Sequence, residues 1–170
     1  MPANLTRQTF NTFSYDKRFA AIVVPAGSFQ LVTEVGTARA VIARFRDHLQ
    51  PGGRLIVDLD PAGAFVGPAM SVRSWETADG ALLTLTDQRV ETDHVAQVTL
   101  SHLRYELWRE GRLVDTELDL FRLRWWGVTE FGLALEAAGF TDVTVSGNYA
   151  FGRAPRDGDD IITFEARWPG

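Results

Sequence analysis

Between Phe19 and Leu59 an apolar strand, a Gly-Ser turn, an amphipathic helix and a second apolar strand follow one another with short links. That order constrains the fold more than any other stretch, because two strands joined through a helix have to lie parallel with the helix packed across them. Ala20 to Pro25 is apolar at successive positions and offers both faces to burial, the pattern of a strand inside a parallel sheet. Thr37 to Leu49 changes period: Ala38, Val41, Ile42, Phe45 and Leu49 recur at helical spacing, with Arg39, Arg44, Arg46 and Asp47 facing away. Thr33 or Thr37 is placed to cap this helix, Pro51-Gly52-Gly53 to stop it, and Arg54 to Leu59 is the next strand.

From Ser71 to Trp126 the period drops to two. Asp79-Gly80 and Glu110-Gly111 are hairpin turn pairs, so the spacing predicts four antiparallel strands. The apolar face switches near Ser101-His102 and again near Leu120-Phe121, which predicts a bulge or bend at each. Thr129 then caps a short helix that carries Phe131, Leu135 and Ala138 and ends on Gly139. Two last strands, near Asp142 to Ser146 and Ile161 to Trp168, flank the Gly/Pro/Asp-rich loop Gly152 to Asp160.

At 170 residues the sequence predicts one domain over 1–170, with residues 70–126 as an antiparallel insertion. No apolar run approaches the roughly 20 residues of a membrane span, and the net charge of −5 with scattered Arg leaves no footprint for nucleic acid or an anionic membrane. Cysteine is absent, which removes disulfides, thiolate metal sites and thiol nucleophiles. His48, His94 and His102 form no metal-ligand spacing. Met1 to Leu5 has no basic and apolar leader pattern, so the expected location is the cytoplasm.

Three segments together resemble class I S-adenosylmethionine-dependent methyltransferases: Phe19 through Pro25-Ala26-Gly27-Ser28-Phe29-Gln30-Leu31, His48-Leu49-Gln50-Pro51-Gly52-Gly53-Arg54-Leu55-Ile56-Val57-Asp58, and Glu130 through Ala137-Ala138-Gly139-Phe140. The resemblance implies an α/β fold, a partial Rossmann-like sheet made of strands 4 to 7 of the family order 3-2-1-4-5-7-6, with the antiparallel stretch as a substrate-covering insertion. It implies S-adenosylmethionine as cofactor and a small molecule as methyl acceptor. The family's Gly-x-Gly-x-Gly turn and its ribose-binding acid belong to strands ahead of Phe19 and have no match in this sequence. The expectation is an incomplete enzyme or one needing a partner half.

Carried over by position, Thr9 and Phe10 stand where the family contacts adenine, and Pro25, Ala26, Gly27 and Ser28 where it contacts the cofactor beside the incoming nucleophile. Phe29, Gln30, Trp125 and Tyr149 are the substrate candidates. Methyl transfer is an in-line displacement in which positioning and water exclusion contribute most. Its optional base is sought among His102 and Asp58, with Asp60 and Tyr149 also near strand ends. Trp75, Trp108, Trp125 and Trp126 read either as core or as an apolar lid.

Without strands ahead of it, Ala20 to Val24 becomes an open apolar edge, so a homodimer or a partner chain pairing through residues 20–24 is expected. Three readings follow: a methyltransferase half, a methyltransferase-derived module that binds a ligand without the cofactor, and an interaction domain with no small-molecule site.

Overall fold

The computed structural model describes residues 4–67 and 70–170; Met1 to Ala3 of the segment read for a leader lie outside these. The elements run β1 (Phe19–Val24), α1 (Val35–Asp47), β2 (Leu49–Leu59), β3 (Met70–Glu76), β4 (Leu82–Asp93), β5 (Val98–Arg109), β6 (Arg112–Arg124), α2 (Val128–Ala137), β7 (Thr141–Gly147) and β8 (Ile162–Arg167), with single 3-10 turns at Ser28–Leu31 and Ala62–Phe65. They form two compact units, one comprising the chain up to Pro61 together with Trp126–Gly170, the other Ala62–Trp125. No helix among the described residues is long and apolar enough to cross a membrane.

The first unit holds a sheet of order β1-β2-β8-β7. β1 and β2 are parallel, with Val24 beside Val57, and β8 runs antiparallel to both β2 and β7. The carboxyl ends of β1, β2 and β7 therefore share one margin of the sheet with the amino end of β8. Core side chains come from alternate strand positions, Leu55, Val57 and Leu59 of β2 and Ile162, Phe164 and Ala166 of β8, and from Ala38, Val41, Ile42 and Phe45 of α1. Phe131 of α2 sits at the centre, its ring 4.9 Å from Phe164, 5.3 Å from Phe29 and 5.4 Å from Trp126. Burying each such ring contributes about 1.5–3 kcal/mol, which fixes α2 on the sheet.

The element limits correct several expectations. β1 is not buried on both faces: Ala20, Ala21 and Val23 are exposed and Val24 alone is buried, because β1 is the terminal strand of its sheet. Helix α1 begins at Val35 after Glu34, with no side-chain cap from Thr33 or Thr37. It ends at His48, whose ring Nδ1 lies 2.8 Å from the Arg44 carbonyl, so Pro51-Gly52-Gly53 falls inside β2 instead of stopping the helix. There the register jumps from Phe19 opposite Leu49 to Ala21 opposite Arg54. Gly53 makes that jump possible: a Cβ on it would stand 2.8 Å from the Gln50 carbonyl and 3.2 Å from those of Phe19 and Ala20. The start of α2 is fixed by Gly127, whose N–H donates to Glu130 Oε2 at 3.1 Å, and not by Thr129.

The second unit is a meander of order β3-β4-β5-β6, antiparallel throughout. Both turn pairs stand where the sequence places them, Gly80 at φ 79° and Glu110-Gly111 at φ 49° and 74°, the left-handed pair of a two-residue hairpin. The bulges lie elsewhere than expected. The register slips between Arg89 and Glu91, so the extra residue Val90 is on β4 opposite Leu100 and Ser101, and again where Leu107 and Trp108 face Asp115 and Leu113. β5 keeps one buried face, Thr99 and Leu103 both lying on it, so the expected switch at Ser101-His102 does not occur, and no slip occurs at Leu120-Phe121. The Arg89 guanidinium donates to the carbonyls of Ala64 and Phe65 and so holds the 3-10 turn to β4.

Candidate active site at the strand ends

Asp58, the penultimate residue of β2, is buried at 5% exposure on the shared margin. Its Oδ1 accepts from Thr163 Oγ1 on β8 at 2.7 Å, and its Oδ2 accepts from the Tyr149 phenol at 3.1 Å and from the Ala26 N–H at 3.3 Å. Three donors from three segments satisfy a carboxylate that forms no ion pair among the described residues. Tyr149 is exposed, and its backbone is left-handed at φ 58°, directly after Asn148 at φ 49°. Asn148 tolerates this because its Oδ1 accepts from the N–H groups of Asp160 and Ile161 at 2.8 and 3.2 Å. For Tyr149 the conformation costs about 1–3 kcal/mol, offset in part by the bond to Asp58. That bond and the Asp58 charge push the phenol above its ordinary range.

The segment after β1 folds back equally tightly. Ala26 and Gly27 are left-handed at φ 55° and 67°, and the Ser28 N–H returns to the Pro25 carbonyl at 3.2 Å. A Cβ on Gly27 would stand 2.8 Å from Gln30 Oε1 and 2.9 Å from Asp60 Oδ2, so only glycine lets the Asp60 carboxylate lie against this turn. Gln30 is fully buried and clasps the Asp60 main chain, accepting from its N–H at 2.9 Å and donating to its carbonyl at 3.3 Å. The Asp60 carboxylate itself is half-buried and makes no hydrogen bond or ion pair among the described residues. Burial pushes its pKa up. A partly desolvated carboxylate with free lone pairs is able to accept a proton.

Beside β1 runs a groove of about 520 Å³ lined by Thr6, Gln8, Thr9, Phe10 and further aromatic and aliphatic side chains. None of its lining residues is charged. Phe10 stands edge-on to Phe45 with centroids 6.0 Å apart, and Thr9 Oγ1 bonds Thr12 Oγ1 at 2.8 Å.

The structure thus brings Pro25, Ala26, Gly27, Asp58 and Tyr149 together, and Thr9 and Phe10 along the groove. Ser28 instead donates its hydroxyl to the Pro25 carbonyl at 2.6 Å. Phe29 and Gln30 face inward: Phe29 is core, and Gln30 spends its amide on Asp60. His102 and Trp125 belong to the second unit, His102 between Gln88 and Leu120 and Trp125 with its ring 5.8 Å from Phe65 and 6.0 Å from His94. Of the other tryptophans, Trp126 is core, Trp75 is exposed and Trp108 donates to Thr84 Oγ1 at 3.2 Å. Thr163 escapes sequence reasoning, since nothing local distinguishes it from other β-branched strand residues; only the pairing of β2 with β8 sets it opposite Asp58.

No protein-family model matches the chain, and no curated protein sequence matches it. Solved structures do. A S-adenosylmethionine-dependent methyltransferase from Clostridium acetobutylicum matches with a TM-score of 0.73 at 13% identity, over 96% of this chain and 63% of that one. An amino pentose methyltransferase of calicheamicin biosynthesis from Micromonospora echinaspora, solved with S-adenosylmethionine bound, matches at 0.72 and 18%, over 94% and 62%. The CcbJ methyltransferase from Streptomyces caelestis matches at 0.70 and 19%, over 94% and 65%. The chain therefore spans less than two thirds of the length of the structures it matches, and at such identities the likeness speaks for architecture alone: this chain has a class I methyltransferase-like fold.

Proposed function

We propose that this chain is the carboxyl-terminal part of a S-adenosylmethionine-dependent methyltransferase acting on a small molecule. The observation that carries the proposal is the meeting of Asp58, Asp60, Tyr149 and the Ala26-Gly27 turn at the carboxyl ends of parallel strands, where open α/β sheets place their ligands. On this reading β1, β2, β8 and β7 are strands 4, 5, 7 and 6 of the methyltransferase sheet, an assignment supported by the observed order and by the single antiparallel strand. The antiparallel meander is its substrate-covering insertion.

The groove residues suit one end of the cofactor: Phe10 offers an aromatic face and Thr9 a hydroxyl to a purine, and the turn at residues 25–27 offers close backbone approach. When bound, S-adenosylmethionine supplies an electrophilic methyl group. The chain's own contribution is to hold and deprotonate the acceptor. Asp60 would take the proton that an amine or hydroxyl acceptor sheds. Asp58 aims Tyr149 and pins Ala26, so the phenol and the turn keep fixed positions around the acceptor.

One observation favours a second reading, a ligand-binding module that works without the cofactor: the groove has no charged side chain for a ribose diol or an amino-acid moiety. Titration calorimetry of the chain with S-adenosylmethionine separates the two. Binding at one site per chain, weakened at least tenfold by Phe10→Ala, supports the first; absence of heat, with an apolar ligand still binding, supports the second.

A further inference from the structure

Four side-chain donors at the carboxyl margin of the first sheet turn inward. The Tyr149 phenol and the Thr163 hydroxyl donate to Asp58, the Ser28 hydroxyl to the Pro25 carbonyl, and the Gln30 amide to the Asp60 carbonyl. What these segments leave for a ligand is acceptors. The half-buried Asp60 carboxylate makes no hydrogen bond or ion pair among the described residues, and the exposed Tyr149 oxygen, its proton given to Asp58, keeps its lone pairs. The charges of Asp58 and Asp60 both act on this phenol, so the three groups answer to one place. Charge is left open as well. The largely buried carboxylates of Glu106, Glu165 and Asp159 each meet a guanidinium, from Arg104, Arg54 and Arg153, whereas no Arg, Lys or His pairs with Asp58 or Asp60 among the described residues.

We infer that this margin binds an ammonium group through the Asp60 carboxylate and the Tyr149 oxygen, so that the acceptor class is an aliphatic amine. The inference rests on the reading of the margin as the acceptor site and narrows it. An ammonium group has donors, no acceptor and a positive charge, which is what the margin lacks on each count. A hydroxyl brings a donor without the charge. A carboxylate or phosphate brings acceptors to acceptors and is repelled by both aspartates. A divalent cation takes about six oxygen ligands or more, and no group of three His, Asp or Glu side chains suited to a metal occurs among the described residues. The pair is held ready by its surroundings: Gln30 clasps the Asp60 main chain from both sides, and the bare Gly27 leaves room for the carboxylate against its turn.

Benzylamine, benzyl alcohol and benzoate share one body and differ in a cationic, neutral or anionic head, and S-adenosylmethionine is left out because it carries cations of its own. Carboxyl-carbon NMR of the chain reads Asp60 directly. Millimolar benzylamine shifts the Asp60 resonance and lowers its titration midpoint, since a neighbouring cation favours the charged carboxylate, while the alcohol and the acid leave both alone. Asp60→Asn weakens benzylamine binding about tenfold or more, followed at the amides of residues 26–28 and 149, and Asp119→Asn, an exposed carboxylate on β6, does not change it. Benzyl alcohol binding as well as benzylamine, a preference for benzoate, no response of Asp60 to benzylamine, or binding indifferent to Asp60→Asn each overturns the inference. The two readings fail separately. If S-adenosylmethionine gives no heat while benzylamine binds as stated, the transferase proposal fails and the ammonium site stands; if S-adenosylmethionine binds and benzylamine never reaches Asp60, the reverse holds.

Discussion

The exposed phenol of Tyr149 donates to the buried carboxylate of Asp58 across 3.1 Å, tying the loop after β7 to the end of β2. Because that carboxylate accepts the phenolic proton, the phenol titrates above the ordinary 10.0. Asp58→Asn lowers it toward that value, read by ultraviolet difference absorbance, with Tyr149→Phe identifying the signal among the three tyrosines. A phenol titration indifferent to Asp58→Asn contradicts the latch. The substitution also turns one acceptor oxygen into a donor facing other donors, which destabilises the fold by about 1–3 kcal/mol.

Asp60→Asn separates chemistry from folding. Burial raises the Asp60 pKa, so the folded chain holds that proton more tightly than the unfolded one, and the group's stabilising contribution is complete below 3.8 and lost as pH climbs through its raised value. Above that raised value the ionised carboxylate is a liability. Asn removes it, and the melting temperature rises while methyl transfer by the assembled enzyme falls about 100-fold. A stable variant with undiminished turnover rules Asp60 out as the base.

Gly147 sits where β7 gives way to its loop, and a Cβ there would stand 2.0 Å from Asp159 Oδ2 and 2.7 Å from Arg153 Nη2. Gly147→Ala must part the Arg153–Asp159 pair, now 2.8 Å apart, and costs about 1–3 kcal/mol by urea unfolding. Acid does the same more gently. The Arg153 side chain and the Arg156 N–H hold the Asp159 carboxyl below 3.8, so the pair's contribution is present above that value and lost as pH falls through the lowered one. Amide exchange in residues 148–161 accelerates there first.

Phe131→Ala removes the ring on which Phe29, Trp126 and Phe164 converge, and a loss of about 3–5 kcal/mol is expected from denaturant unfolding. Leu133→Ala, on the exposed side of the same helix, serves as its control with a change below about 1 kcal/mol.

Much of the architecture is legible because its signals are local. The period of Ala38, Val41, Ile42 and Phe45 announces α1, and Asp79-Gly80 and Glu110-Gly111 announce hairpins because glycine takes up the left-handed backbone they need. The ends of helices are less legible, since His48 and Glu130 act through main-chain partners that composition does not specify. Bulges are hidden for a related reason: the slip at Val90 is defined by its pairing with Leu100 and Ser101, which lie on another strand. The site is read only in part. Asp58 stands at a strand end and invites attention, yet its partners Tyr149 and Thr163 lie 91 and 105 residues away, joined by a register that no short window contains. Gln30 reads as a loop amide and is core.

Gly53 carries a last consequence. The Pro-Gly-Gly run that carries the resemblance to methyltransferases is occupied with letting two backbones touch, against the carbonyls of Gln50, Phe19 and Ala20. A well-seated sheet needs such a run whatever chemistry stands beside it, so the run speaks for architecture and is silent on turnover.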